Sequence, residues 1–342
     1  MAERLRVSRP VRETDAALDL DALIAADEPV ILRGRAADWP LVRAGRGSPQ
    51  EAAAYLRSFD VGRPVTSYVG DPAIRGRFHY DATATAMNFA AERSGLGAFL
   101  DRLLGQIGAA DAPSLYLGST DLDDYLPGFR ADNALIPVGD LFDRHPPLAS
   151  IWIGNRTIAS AHHDMSNNVA VCAVGRRRFT LFPPEQVANL YPGPLAPTPG
   201  GQVVSMVDFA APDLDRYPRF ADAVAAGSVA DLAAGDVLVY PALWWHHVEA
   251  LDDFNVLVNY WWNAAPAFMD TPMDTILHGL LSLRDRPAHE RQAWRAMFDH
   301  YLFGDAAAVA AHLPEAARGP LAPLDEAGAR QLRAYLLHRL NR

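Results

Sequence analysis

Residues 150–182 read SIWIGNRTIASAHHDMSNNVAVCAVGRRRFTLF, and residues 235–262 read GDVLVYPALWWHHVEALDDFNVLVNYWW. Both stretches break into short apolar runs at Ser150–Ile153, Asn168–Val174, Phe179–Phe182, Asp236–Tyr240, His247–Leu251 and Asn255–Trp261. A further run lies between them at Val203–Asp208. Turn-forming residues punctuate the series: Gly154-Asn155, Gly175, Pro183-Pro184, Gly200-Gly201, Gly235-Asp236 and Asp252-Asp253. Many short strands spaced in this way predict an all-β core closed as a double-sheet jelly roll or barrel.

Outward from that core the pattern changes. On the N-terminal side, Asp19–Ala26 reads as a short helix running into a strand at Pro29–Leu32. Ser48-Pro49-Gln50-Glu51 opens a helix with a cap, a proline at the first helical position and a glutamate three residues after the cap. Pro64–Val69 alternates like a strand, Leu96–Ile107 has amphipathic helical spacing, and Ser114–Leu117 reads as another strand. Beyond Pro272 the strand signal ends. Asp274–Leu283, His289–Tyr301, Ala306–Leu313 and Asp325–Leu340 are helical in pattern, the last with a stripe of Ala329, Leu332, Tyr335, Leu336 and Leu340. The predicted class is mainly β with flanking helices. Its three regions are a mixed α/β segment (1–149) packing on the barrel, the jelly-roll core (150–262) and a helical segment (263–342). An insert at 189–234 carries two proline-rich turns and a short helix at Phe220–Ala226.

Bulk properties bound the function. Half of the 342 residues are hydrophobic and 21% are charged, as expected of an ordinary globular protein. No run of eighteen apolar residues is free of charge, so no membrane-spanning helix is expected, and Met1–Asp15 lacks the apolar core of a signal peptide. Cys172 is the single cysteine, which rules out an internal disulfide and fits a reducing cytoplasm; it reads as a core residue of an apolar strand. The net charge of −10 disfavours non-specific contact with nucleic acid or anionic lipid. All 31 basic residues are arginine.

The chemistry-bearing residues sit within the core strands. His162-His163-Asp164 and, about eighty positions on, His246-His247 supply imidazoles and a carboxylate. His-x-Asp with a distant His is the facial ligand set of non-haem iron(II) sites, which leaves positions open for cosubstrate and dioxygen. Neighbouring strand residues point to opposite faces, so His162 and Asp164 share a face that His163 does not. By the same parity either His246 or His247 can complete the set. A second His-x-Asp, His79-Tyr80-Asp81, has no strand or basic residue after it and reads as structural or as part of the substrate edge. Trp244, Trp245, Trp261 and Trp262 read mainly as packing residues. His278, His289, His300, His312 and His338 lie on the C-terminal helices as surface positions.

The run HHDMSNNVAVCAVGRRRFTLFPPEQVANLYPGPL, followed by GDVLVYPALWWHHVEAL and NVLVNYWW, resembles the cupin-like JmjC-domain 2-oxoglutarate oxygenases, in particular their asparaginyl-hydroxylase branch. PVILRGRAADWP and FHYDATATAMNF extend the resemblance more weakly towards the N-terminus. It implies a double-stranded β-helix (jelly-roll) fold, iron(II) and 2-oxoglutarate, with His162, Asp164 and His246 as metal ligands. It places Arg177 where the family usually has a lysine that holds the cosubstrate's far carboxylate. Arginine grips carboxylates bidentately but is longer and planar, so the pocket must differ. Asn168, Asn259 and Tyr116 match further cosubstrate positions. The alternative for each is a polar core residue satisfied by backbone. Ser160 stands near the position of a family threonine.

The resemblance implies a hydroxylase acting on a protein or peptide side chain or an amino-acid-like small molecule. The acidic charge argues against a nucleic-acid substrate. Two other readings use the same residues: a metal cupin of different chemistry, needing no 2-oxoglutarate, and a barrel kept only for binding. The helical tail resembles a dimerisation element of the family, so a homodimer is expected. The insert 189–234 and the N-terminal region are expected to shape the substrate pocket.

Overall fold

The computed structural model describes residues 6–341; the first five residues of the charged N-terminal stretch lie outside them. Fourteen strands are seen among the described residues. In chain order they are β1 (Arg12–Glu13), β2 (Val30–Leu32), β3 (Val65–Gly70), β4 (Arg77–Phe78), β5 (Phe89–Ser94) and β6 (Ser114–Asp121). The core continues with β7 (Leu148–Gly154), β8 (Ile158–His162), β9 (Asn167–Val174) and β10 (Arg177–Phe182). After the insert come β11 (Ser228–Leu232), β12 (Val237–Tyr240), β13 (Trp245–Ala250) and β14 (Asn255–Trp262).

These strands form two sheets. The larger has nine strands in the order β1-β2-β12-β9-β14-β7-β6-β3-β5, the smaller five in the order β11-β10-β13-β8-β4. The N-terminal 149 residues therefore do not stand apart; β2, β3, β5 and β6 extend the larger sheet on both sides. Alternation along each strand sorts side chains between two cores. Val169, Val171, Val237, Val239, Val256 and Val258 face outwards and pack under the helices Pro40–Gly47, Pro49–Arg57 and Leu96–Leu104. Ala170, Cys172, Phe179, Leu181, Leu238 and Leu257 fill the interior between the sheets. This is the jelly-roll architecture expected of the pattern.

Local rules account for many boundaries. Ser48 Oγ accepts from the Glu51 amide and caps the helix Pro49–Arg57, a contact worth about 1 kcal/mol. Asp19 caps Leu20–Ala25 in the same manner. Gly175 turns β9 into β10 at φ +75°, a region that favours glycine. The helix Pro40–Gly47 escapes sequence reading because two glycines interrupt it. Gly45 is there for close approach, since a Cβ would come within 2.6 Å of Val174 Cγ2 on β9.

One expected strand is absent. Val203–Asp208 makes only isolated bridges, Val204 to His162 and Ser205 to Pro192. Its backbone is divided between neighbours: the Ser205 amide donates to Ala161 O, and the Met206 amide to Tyr191 O. That division prevents a continuous ladder with either. Its side chain Val207, with Leu190, Phe220 and Ala223, covers the outer face of the smaller sheet over Phe182 and Trp245.

A second compact unit begins at Ala264. It holds the helices Pro272–Ser282, Ala288–Tyr301, Ala306–Ala310 and Glu326–Leu340. Arg333 joins the last of these to Asp270 at 2.6 Å. No helix among the described residues is long and apolar enough to cross a membrane.

Candidate metal centre

Cross-strand register builds the site. His246 on β13 pairs directly with His162 on β8, and directly opposed residues share a face. The register shifts between His246 and Val248, so Val248 opposes Ala159 while His246 still meets His162. Asp164 follows β8 in a short loop that is tied to the turn before β13. There the Leu243 amide donates to Asp164 O (2.8 Å) and the Ala242 amide to Asn167 Oδ1 (3.0 Å). Leu243 sits at φ +66°, an unusual conformation for a branched residue, at the point where this turn meets Asp164.

His162, Asp164 and His246 bring one ligand atom each within 4.8 Å of one another, the only such group of His, Cys, Asp or Glu among the described residues. His246 Nε2 lies 3.6 Å from Asp164 Oδ2, and the two imidazole centroids are 4.2 Å apart. Each imidazole is oriented through its other nitrogen: His162 Nδ1 meets Ser160 O at 2.8 Å and His246 Nδ1 meets Trp244 O at 3.0 Å. A carbonyl can only accept, so both Nδ1 atoms carry the proton. In a neutral ring of this tautomer Nε2 keeps the lone pair that a metal would take. Burial holds His246 neutral with its pKa pushed down to about 3, and the neighbouring His162 acts in the same direction. Two imidazoles and a carboxylate arranged in this way fit a divalent first-row metal.

The adjacent histidines face elsewhere. His163 points away and meets the Trp245 ring edge-on at 4.8 Å. His247, on the outer face, stacks on Phe209 at 4.3 Å. Burial first, then the charge of Arg77, lowers its pKa to about 3. His79 is buried and its Nε2 meets Ser205 O at 3.1 Å, while Asp81 caps its own turn through Thr83. Neither of the last two joins the cluster.

Arg177 begins β10 and pairs with Ala250, while Leu181, four residues on, pairs with His246. Arg177, Phe179 and Leu181 thus share the face of the metal cluster, with Arg177 about 13 Å further along the sheet. Its side chain is 2% exposed, yet Nε and Nη2 have no hydrogen-bond partner. Burial lowers its pKa, and the groups acting against that are the neutral Tyr116 and Cys172 rather than a carboxylate. A buried guanidinium without an anion is costly, and a bound anion relieves it. Arg176 and Arg178 differ: each makes two contacts with one carboxylate at the surface, Asp252 and Asp231 respectively.

Tyr116 on β6 stacks on Trp152 (5.6 Å, 27°), and burial pushes its hydroxyl up to about 12. Trp261 meets Trp152 edge-on at 5.9 Å, and both indole N–H groups are buried without a partner. Asn168 and Asn259 are not satisfied by backbone. Asn259 Nδ2 donates to Asn168 Oδ1 (2.6 Å), and Asn168 Nδ2 donates to Tyr240 Oη (2.6 Å). The same nitrogen lies 3.4 Å from Asp164 Oδ2. Sequence reasoning passed over Tyr240, although its position two residues from interior Leu238 was a readable signal of an inward-facing hydroxyl. The carbonyls of Ser160 and Trp244 carried no signal, since backbone acceptors have no sequence signature. Ser160 itself turns outward, its Oγ accepting from Arg77 Nε at 3.3 Å.

A family model described as a cupin-like domain matches residues 16–268. HSPB1-associated protein 1 of Rattus norvegicus is 36% identical over 120 residues, covering 34% of this chain and 24% of that protein. The tRNA wybutosine-synthesizing protein 5 of Mus musculus is 35% identical over 114 residues, 33% of each chain. Lysine-specific demethylase JMJ31 of Arabidopsis thaliana is 32% identical over 106 residues, 31% of this chain and 19% of that one. The matched segments thus span a third or less of these relatives.

Proposed function

This chain belongs to the cupin-like domain family, and from that premise we propose that it is an iron(II)- and 2-oxoglutarate-dependent oxygenase. The proposed reaction is hydroxylation of a protein or peptide side chain or of an amino-acid-like small molecule. Iron would be held by His162, Asp164 and His246, and the far carboxylate of 2-oxoglutarate by Arg177 with Tyr116 beside it. Bound there, iron and 2-oxoglutarate supply the activation of dioxygen, with two electrons from decarboxylation to succinate and two from the substrate.

The observation that carries this reading is Arg177. Its partnerless buried guanidinium faces the same interior as the triad, and the unpaired indole N–H groups of Trp152 and Trp261 are also donors. An interior so rich in donors and poor in free acceptors suits a small dianion. About 13 Å of strand separates the backbone positions of Arg177 and the triad, a span that the arginine side chain and a short dicarboxylate would cover together. Asn168, 3.4 Å from Asp164 Oδ2, and Asn259 behind it would complete the cosubstrate site. The rings of Tyr116, Trp152 and Trp261 form an aromatic wall along this interior.

Further support for oxygenase chemistry comes from relatives whose names include a lysine-specific demethylase and a tRNA-modifying protein. The relative named for association with HSPB1 favours a protein partner. A cytoplasmic location and a homodimer formed through the C-terminal helices belong to the same proposal. Succinate release from 2-oxoglutarate by anaerobically iron-loaded protein, once oxygen is admitted, tests the function beside an Asp164→Ala control. Iron-dependent turnover absent from the control supports it. Metal binding without any 2-oxoglutarate–iron charge-transfer band would replace it with a metal cupin of other chemistry.

A further inference from the structure

Tyr240 ends β12 and is 2% exposed, and its ring centroid lies 4.9 Å from that of His246. Its backbone pairs with Asn168 on β9, which in turn pairs with Trp261 on β14. The three side chains Asn259, Asn168 and Tyr240 form one directed chain of hydrogen bonds, each 2.6 Å long.

The amide of Asn168 is fully committed by this chain. Its oxygen accepts from Asn259, one hydrogen of Nδ2 goes to Tyr240 Oη, and the other faces Asp164 Oδ2 at 3.4 Å. A flipped amide would set its nitrogen against the Asn259 nitrogen, two donors face to face. Asn259 Nδ2 therefore holds the oxygen end, and Asp164 Oδ2, which can only accept, holds the nitrogen end beside Tyr240 Oη. Without the hydroxyl, the buried N–H would lose its 2.6 Å acceptor and keep only the longer 3.4 Å contact to Asp164 Oδ2.

We propose that Tyr240 is a positioning residue of the metal centre. Acting through Asn168, its hydroxyl fixes the orientation of the Asp164 carboxylate against the two imidazoles. The inference rests on the triad holding a metal. A tyrosine that only filled space would be replaced by phenylalanine with a change in melting temperature and none in the metal site.

The test is anaerobic titration of metal-free protein with Co(II), read by its visible d–d absorption, with melting temperatures alongside. Outer-sphere partners of metal ligands typically contribute ten- to a hundred-fold in affinity. Tyr240→Phe is expected to weaken Co(II) binding about ten-fold and to shift the absorption band. Asn168→Ala should do the same, and the double variant should bind no worse than either single one, because both act on one contact. If Tyr240→Phe does not fold, Asn259→Ala, which frees the other end of the same amide, is read in the same titration. Parental affinity and spectrum in the variant that folds would overturn the proposal, as would losses that multiply in the double variant. Parental protein that binds no Co(II) would overturn both this proposal and the metal centre. Binding by the parent with an unchanged variant overturns this proposal alone.

Discussion

His246 and His247 are adjacent in the chain and lie on opposite faces of one strand. The first sits 3.6 Å from Asp164, and the second is stacked on Phe209 at 4.3 Å. Only the first has its Nε2 directed at the cluster. His246→Ala is expected to abolish Mn(II) binding measured by electron paramagnetic resonance. His247→Ala should leave it within a few-fold while lowering stability by about 1 kcal/mol or more from the lost ring pair and packing. Equal loss of metal in the two variants would refute the assignment.

Arg177 gives a prediction of opposite sign for stability and binding. Its guanidinium is buried with two nitrogens unpaired, so the unliganded protein bears a desolvation cost that an apolar side chain of similar length would not. Arg177→Met should raise the melting temperature of the ligand-free protein, equivalent to ~1–4 kcal/mol. It should also remove the stabilisation given by 2-oxoglutarate with Mn(II), about 2.7 kcal/mol in the parent at a hundred times the dissociation constant. Thermal shifts with and without the oxoacid check both. A parent protein indifferent to 2-oxoglutarate would remove the anion role.

How much of this was legible in the sequence follows from where each constraint resides. Apolar runs and turn residues locate β7, β9, β10, β12, β13 and β14 to within two residues at either end, because these runs are buried and closed by turns. β8 escaped, since Ile158–His162 mixes small and polar residues and its register is broken opposite His246. Val203–Asp208 looked like a strand because its apolar residues cover a sheet rather than join one. Parity grouped His162 with Asp164 in the sequence, whereas in the fold Asp164 lies in the loop after β8 and is held by the Leu243 amide. The same parity left His246 and His247 open, because which face looks inward is decided by pairing with β8. Arg177 stood out only through the family resemblance; that it lacks an anion partner is a tertiary fact.

Acid sensitivity should come in part from His79. Burial first, then Arg77, lowers its pKa from 6.5 to about 4 in the folded chain. Below about pH 6.5 the unfolded chain takes up the proton and the folded chain does not until about pH 4. Its contribution is therefore complete above pH 6.5 and is lost progressively as pH falls towards 4, by up to about 3 kcal/mol. The urea midpoint of the parent should fall from pH 7.5 to pH 5, and His79→Gln should flatten that slope. An unchanged slope in the variant would place the acid sensitivity elsewhere.

The C-terminal unit presents more apolar surface than an isolated helical segment needs. Leu277 (48%) and Leu281 (79%) on one helix, and Tyr335 (59%), Leu336 (42%) and Leu340 (52%) on another, are exposed. Tyr335, Leu336 and Leu340 line a groove with His278 and Arg339. Large exposed apolar patches mark association sites, and an isologous pairing of the groove with itself would bury it in a closed dimer. The polar positions of the same helix, Arg330 with Glu326 at 3.2 Å, remain for solvent. Leu336→Arg would place two charges at such a two-fold interface and is expected to yield a monomer by multi-angle light scattering. Metal binding in the jelly-roll core should be unaffected, because the triad comes wholly from the unit that ends at Asn263. A variant with the parent's mass, or a parent that is already monomeric, would show that the exposed helices serve some purpose other than dimerisation.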